Sequence, residues 1–251
     1  GTIAELAERR GEPQPVSTGH EGDVRSAPGE FLQPERRHTG ESLDGDSGGV
    51  YLFNPTGQLV NSVEYGLQVQ DLSIGLGGGQ WRLLGTTSPG TVNGSNAILG
   101  TNTTLRLNEW MPNPATGDDW FEIYNPTNRP VDLSTISISD DPSIAGRGKF
   151  RPSPLSFIGA RSFVKLVADA NAGQDRDHVN FGLDGQGDSL LVYGVVNATN
   201  FTLIDTLGFG AQTNGVSSGR LLDGAANILA FPGTASPGFS NYRLLQSLVI
   251  N

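Results

Sequence analysis

The sequence predicts an all-β protein of the sandwich type. Short runs rich in β-branched and aromatic residues recur along the chain, and Gly, Pro, Asn and Asp punctuate the gaps between them. Only one segment carries helical spacing. Strands at this density, bounded by turns, pack best as two facing sheets.

Taken in order, "IAELAERR" (Ile3 to Arg10) is the helical exception, with Ile3, Leu6 and Ala7 on one side at i, i+3 and i+4. Strand signals follow in "GVYLF", "LVNSVEYG" and "WRLLG", then in "LRLNEW", "WFEIYN", "STISIS", "RSFVKLVA", "SLLVYGVV" and "FTLIDTLGF". Turn strings such as "DDPS", "GLDGQGDS" and "ASPGFSN" separate them. "GLGGGQ" (Gly75 to Gln80) lacks the lysine and the following helix of a phosphate-binding loop, so it reads as a hairpin tip.

Composition narrows the function classes. The 251 residues include 35 glycines and no cysteine, which excludes disulfides, thiolate metal sites and cysteine nucleophiles. The net charge is -10, so phosphate backbones are repelled and nucleic acid is a poor partner. No apolar run approaches the length of a membrane-spanning helix, so no membrane insertion is expected. The opening "GTIAELAERRGEPQ" has no apolar core of a signal peptide, and the chain is expected to be an internal piece of something longer.

Self-comparison finds a repeat. "HTGESLDGDSGGVYLF" (His38 to Phe53) aligns with "HVNFGLDGQGDSLLVY" (His178 to Tyr193), "YGLQVQDLSIG" (Tyr65 to Gly75) with "FGAQTNGVSSG" (Phe209 to Gly219), and "TTSPGTVN" (Thr86 to Asn93) with "TASPGFSN" (Thr234 to Asn241). Three blocks in one order divide the chain into an N-terminal segment (1–30), a partial repeat (31–97), a complete domain (98–242) and a linker (243–251). "LVIN" (Leu248 to Asn251) matches "LRLN" (Leu105 to Asn108), so the last residues are expected to open a further copy.

The repeat also settles how Gly45-Asp46-Ser47-Gly48-Gly49 is read. This string surrounds the nucleophilic serine of trypsin-like proteases, but a nucleophile needs a base and a group that orients it. The three histidines are His20, His38 and His178, and none has the expected context. The second copy reads Asp184-Gly185-Gln186-Gly187-Asp188 at the same place, keeping the turn and losing the Asp-Ser pair. Ser47 is therefore expected in a turn.

The second copy resembles a lamin tail domain of the bacterial type. The resemblance rests on "LRLNEWMPNP", "DWFEIYNPTNRPVDLS", "ISISDD", "SSGRLLDG" and "TASPGFSN", in the family's order. Its motif residues fall on Asn108, Glu109, Trp120, Glu122, Tyr124, Asn125, Pro126, Asp140, Gly219, Arg220, Pro237, Gly238 and Asn241. The first copy matches only the C-terminal half, without the Asn-Glu and Trp-x-Glu strands, and has Gly75-Leu76 where the second has Gly219-Arg220. The resemblance implies an immunoglobulin-like β-sandwich in tandem copies, acting as a non-enzymatic accessory module of a large extracellular or cell-surface bacterial protein.

Several residue groups carry candidate chemistry. Glu109 and Glu122, on neighbouring strands, have the residue types of a glycosidase acid–base pair; the plainer reading has them cap turns or pair with Arg106, Arg129 or Arg220. Trp110, Trp120, Phe121 and Tyr124 form either a sugar-stacking strip or a core, and alternation along the strands does not decide between them. Asp169, Asp175 and Asp177 are the best hard-oxygen candidates for calcium, although no loop has the EF-hand pattern. His38 and His178 occupy matching places without a second histidine nearby. The expected function is structural, scaffolding or adhesive, with neighbouring repeats or other copies of the chain as partners. The alternative is an accessory module that binds a polysaccharide for an attached hydrolase. An edge strand could also pair between chains, completing the truncated copy.

Overall fold

A computed structural model of the chain describes residues 5–8 and 42–244. The expected further strand at Leu248–Asn251 lies outside the described residues, as do His20 and His38. The chain divides into two units, one of residues 1–98 with 153–157, the other of 99–152 with 158–251. Both are all-β, with antiparallel pairing of neighbouring strands.

In the first unit β1 (Glu5–Glu8), β2 (Gly48–Phe53) and β3 (Leu59–Tyr65) form a sheet in the order β1-β2-β3. The helix expected over Ile3–Arg10 is thus corrected: Glu5–Glu8 is extended, with Glu5 opposite Phe53 and Glu8 opposite Val50. Two turns of isolated helix do not offset the cost of nucleation. The open side of β2 supplies backbone partners to the same residues directly. β4 (Ser73–Gly77) and β5 (Gln80–Leu84) form a separate hairpin. Gly78 and Gly79 close it with φ of 59° and 78°, as a primed two-residue turn requires.

In the second unit β6 (Arg106–Met111) lies at the centre of a five-stranded sheet. It is flanked by β7 (Trp120–Tyr124), whose other neighbour is β11 (Phe163–Val167), and by β14 (Val216–Arg220), whose other neighbour is β15 (Ile228–Pro232). β9 (Ile136–Ser139), β12 (Gly187–Val195) and β13 (Phe201–Gly210) form a three-stranded sheet in the order β13-β12-β9. β8 (Val131–Asp132) and β10 (Phe157–Ile158) are two-residue strands. Leu107, Phe121, Ile123, Ile138, Val192 and Phe231 are almost wholly buried, so apolar side chains from both sheets leave water. Two sheets holding a common core in this way are consistent with a β-sandwich.

The sheets meet at named contacts. The rings of Trp110 on β6 and Phe209 on β13 are 6.0 Å apart. Asp205 on β13 accepts from the Leu107 backbone N–H (2.9 Å) and from the Arg220 guanidinium (3.1 Å). Arg220 also donates to the Leu107 and Ala225 carbonyls, each at 2.7 Å. A guanidinium and a carboxylate with side chains only 10% and 14% exposed therefore join β14, β6 and β13.

The hairpins of the two units match in detail. β2–β3 pairs Gly48 with Tyr65 and Phe53 with Leu59, with a bulge between Leu52 and Phe53. β12–β13 pairs Asp188 with Phe209 and Tyr193 with Leu203, with a bulge between Val192 and Tyr193. The aligned residues carry the same register and the same bulge. Before each hairpin, Gly45 O accepts from Gln68 N (3.1 Å) and Gly185 O from Gln212 N (2.8 Å). β1 pairs with β2 on the edge where β9 pairs with β12, sharing three aligned positions, Tyr51 to Phe53 with Leu191 to Tyr193.

Replacing Asp205 by Ala strands the buried Arg220 charge and the Leu107 N–H together. Removing one partner of a buried pair costs about 3–5 kcal/mol. Urea denaturation of D205A should show its midpoint lowered accordingly, whereas R220A, which leaves the smaller Asp205 still bonded to Leu107, should lose less.

Candidate functional site

Polar side chains are rarely buried without partners, and the second unit buries a connected set. Asn108, Glu109 and Glu122 are at most 1% exposed, in the middle of the five-stranded sheet. The register of β6 against β7 shifts between Leu107 and Glu109, which leaves Asn108 as the extra residue and sets Glu109 opposite Glu122. A bulge interrupts strict alternation and re-aims side chains. Here two consecutive polar residues enter one network.

Asn108 Nδ2 donates to Glu122 Oε1 (3.0 Å) and to Asp223 Oδ1 (3.1 Å), and its Oδ1 accepts from Gly224 N (2.9 Å). Glu122 Oε2 accepts from Gly238 N at 2.6 Å. Glu109 Oε1 accepts from the Ser217 hydroxyl at 2.5 Å, and Ser236 approaches Glu109 with both its backbone N–H and its hydroxyl. Asn241 closes the set: its Nδ2 donates to the carbonyls of Arg220 (2.9 Å) and Asn108 (3.3 Å). Gly219 lies beneath this contact. A Cβ there would come within 2.7 Å of both Asn108 O and Asn241 Nδ2, so only glycine fits. The Ser236-Pro237-Gly238 loop is thereby tied to the two central strands through their carboxyl groups.

Burial pushes both carboxyls up. Glu109 lies above its ordinary value because desolvation outweighs the Ser217 and Ser236 hydrogen bonds. Glu122 is raised to about 8, chiefly by burial, with Glu109 and Asp223 as further negative neighbours. The Ser236 hydroxyl faces two acceptors, Glu109 Oε2 at 3.2 Å and Asn241 Oδ1 at 3.0 Å, with one proton to give.

Both oxygens of each glutamate are thus turned to the chain's own donors. Of the two plain readings, turn capping describes both residues. Arginine pairing describes neither, because Arg220 is committed to Asp205 and Arg106 donates to the Thr103 and Leu105 carbonyls. Trp110, Trp120 and Phe121 are buried, and the half-buried Tyr124 stacks on Phe163 with centroids 4.6 Å apart. Asn125 organises the turn that contains Pro126: its Nδ2 donates to the Arg129 and Gly159 carbonyls, and its Oδ1 accepts from Thr127 N. Asp140 pairs with Lys149 at 2.5 Å.

The acidic loop residues go elsewhere. Asp169 Oδ2 is 2.8 Å from His178 Nδ1, Asp177 Oδ1 is 3.7 Å from His178 Nε2, and Asp175 Oδ1 accepts from Arg176 N. Among the described residues no group of three or more His, Cys, Asp or Glu is placed to hold a metal ion. Ser47 follows a turn in which Asp44 Oδ1 accepts from Asp46 N (3.1 Å). The aligned Asp184 accepts from Gln186 N (2.8 Å) in the same way.

Sequence reasoning missed Ser217, Ser236, Asp205 and Asp223 as members of these networks. Ser217 and Ser236 had a signal, since the residues that align with them, Ser73 and Ser88, are identical. Asp205 had none, because the aligned residue is Asn61. Comparison with protein-family models, curated proteins and solved structures returned no match for this chain.

The raised carboxyls set the pH dependence. A folded value above the unfolded one means that stability is full below about 4.5 and is lost as pH rises through about 8, where Glu122 ionises inside the fold. Urea midpoints should therefore fall between pH 5 and pH 8.5. Glu122→Gln should flatten that slope even where it lowers the midpoint, since an amide cannot ionise.

The calcium expectation is also testable. With Asp169 and Asp177 facing His178, millimolar calcium should leave the thermal midpoint where EDTA leaves it. A rise with calcium concentration would report a site that binds the folded state.

Proposed function

We propose that this chain is a non-catalytic structural module, built from tandem lamin-tail-like units with an immunoglobulin-like sandwich arrangement, that serves as a scaffold, spacer or adhesion element in a secreted or cell-surface bacterial protein. The observation that carries this reading is the recurrence of the β2–β3 register, bulge and preceding turn in β12–β13. A bulge at the aligned residue pair supports the reading of the two hairpins as equivalent. A chain made of repeated units gains length and repeated surface from a small amount of sequence.

The chemistry of the buried network supports the same reading. Glu109 and Glu122 have the residue types of an acid–base pair, but each is nearly inaccessible and engaged by the chain's own loop. An aromatic platform for sugars would need exposed ring faces. Trp110, Trp120 and Phe121 are core residues, which weighs against the polysaccharide-binding alternative.

Exposed aromatics do exist, at Phe239 (75% exposed) and Tyr242 (49%), and they make the alternative testable. Co-sedimentation of the full chain with cellulose, chitin and peptidoglycan should leave the protein in the supernatant. Retention that disappears in the Phe239→Ala, Tyr242→Ala double variant would replace the scaffold reading with polymer binding.

A further inference from the structure

Two asparagines of this chain are followed by glycine, Asn93 and Asn214. Such a pair is chemically reactive. Glycine has no Cβ to crowd its amide nitrogen, so the nitrogen can swing onto the side-chain carbonyl carbon of the asparagine before it. The fold decides whether it does, because the nitrogen must be free and the side chain must be able to turn.

The two pairs are held differently. Asn214 Nδ2 lies 2.9 Å from Asn113 Oδ1, 3.3 Å from Asn113 O and 3.2 Å from Pro114 O. Gly215 N donates to Asn113 O at 2.8 Å. The attacking nitrogen and the amide it would displace are therefore both engaged. Asn93 is exposed, and among the described residues its side chain makes one hydrogen bond, from Nδ2 to Leu76 O (3.0 Å). The Gly94 N–H donates to no group among the described residues. Val92, just before, is 74% exposed, so water reaches this stretch.

The asparagine aligned with Asn93 makes the contrast sharper. Asn241 Nδ2 donates to Arg220 O (2.9 Å) and Asn108 O (3.3 Å), and its Oδ1 accepts from the Ser236 hydroxyl (3.0 Å). It is 7% exposed and is followed by Tyr242, whose Cβ hinders the attack. One aligned position is thus durable in the second unit and labile in the first.

We propose that Asn93-Gly94 is a site of spontaneous deamidation that unfastens the 86–94 loop from β4. Gly94 N attacks Asn93 Cγ and closes a five-membered succinimide ring. The Cγ–Nδ2 bond breaks, and the proton lost by the attacking nitrogen leaves with Nδ2 as ammonia. Water then opens the ring at either carbonyl, giving aspartate or isoaspartate. Nothing is oxidised or reduced, and water is the one co-reactant. The product has carboxylate oxygens where Nδ2 was, and an ionised carboxylate accepts hydrogen bonds but donates none. It cannot hold Leu76 O. The base of the loop stays closed by Gly85 N on Ser95 O (2.9 Å), so the release is local.

The test is peptide mapping by mass spectrometry after the full chain has stood in warm neutral buffer, folded and in urea. In urea both Asn-Gly pairs should convert at similar rates. In the folded chain Asn93 should keep converting, and Asn214 should slow about tenfold or more, because several hydrogen bonds must open before it reacts. Asn93 no faster than Asn214 in the folded chain, or Asn93 converting in urea alone, overturns the site. The variant Asn93→Asp tests the consequence. A broad-specificity protease should nick it within 86–94 several-fold faster than the unmodified chain, with no change at 234–241. Equal nicking rates overturn the unfastening.

Discussion

The second unit depends on two glutamates held inside a sheet. Burying a carboxyl is costly unless its oxygens are satisfied, and here they are satisfied by residues far away in sequence. Glu109 takes Ser217 and Ser236; Glu122 takes Asn108 and Gly238. That requirement places the Ser-Pro-Gly loop against the central strands. A hydrophobic contact could hold the same loop, but it would tolerate slippage. Oxygen atoms with fixed donors fix the register as well.

The bulge at Asn108 makes this arrangement geometrically available. Without it, consecutive residues of β6 would point to opposite faces. With it, Asn108 bridges Glu122 and Asp223 while Glu109 reaches Ser217 and Ser236. Asn241 then ties the backbone of β6 to that of β14, and the glycine beneath it admits the approach. A second polar link, Asp205 with Arg220 and Leu107 N, joins the two sheets. The core between them is apolar, so these two polar links supply the specificity that an apolar interface lacks.

The first unit shows which parts of this design are separable. Its β2–β3 hairpin has the register and the bulge of β12–β13 although no Asn-Glu strand lies among the first unit's described residues. Local hydrogen bonds account for that independence. The Asx turn at Asp44, the Gln68 amide on Gly66 O and the Gly78-Gly79 turn are all made within short stretches of chain. The buried carboxylate network is the opposite case, since it exists only where strands distant in sequence are brought together.

The same division separates what was legible in the sequence from what was not. Strand-forming runs, their turns and the internal repeat are local or self-referential patterns, and from them the sequence alone determined the all-β class, the hairpins and the turn around Ser47. It could also point to Asn108, Glu109, Glu122, Gly219 and Asn241 as a set. It could not say what the glutamates bind. Capping, arginine pairing and catalysis all suit the residue types, and the choice turns on which donors lie within about 3 Å. Local pattern failed at Glu5–Glu8, where helical spacing gave way to the open edge of β2. It was silent at Asp205, whose partners are 98 and 15 residues away. Side-chain type and spacing limit what a residue can do, but burial and the donors brought to it across the fold decide what it does, and only the tertiary structure carries that information.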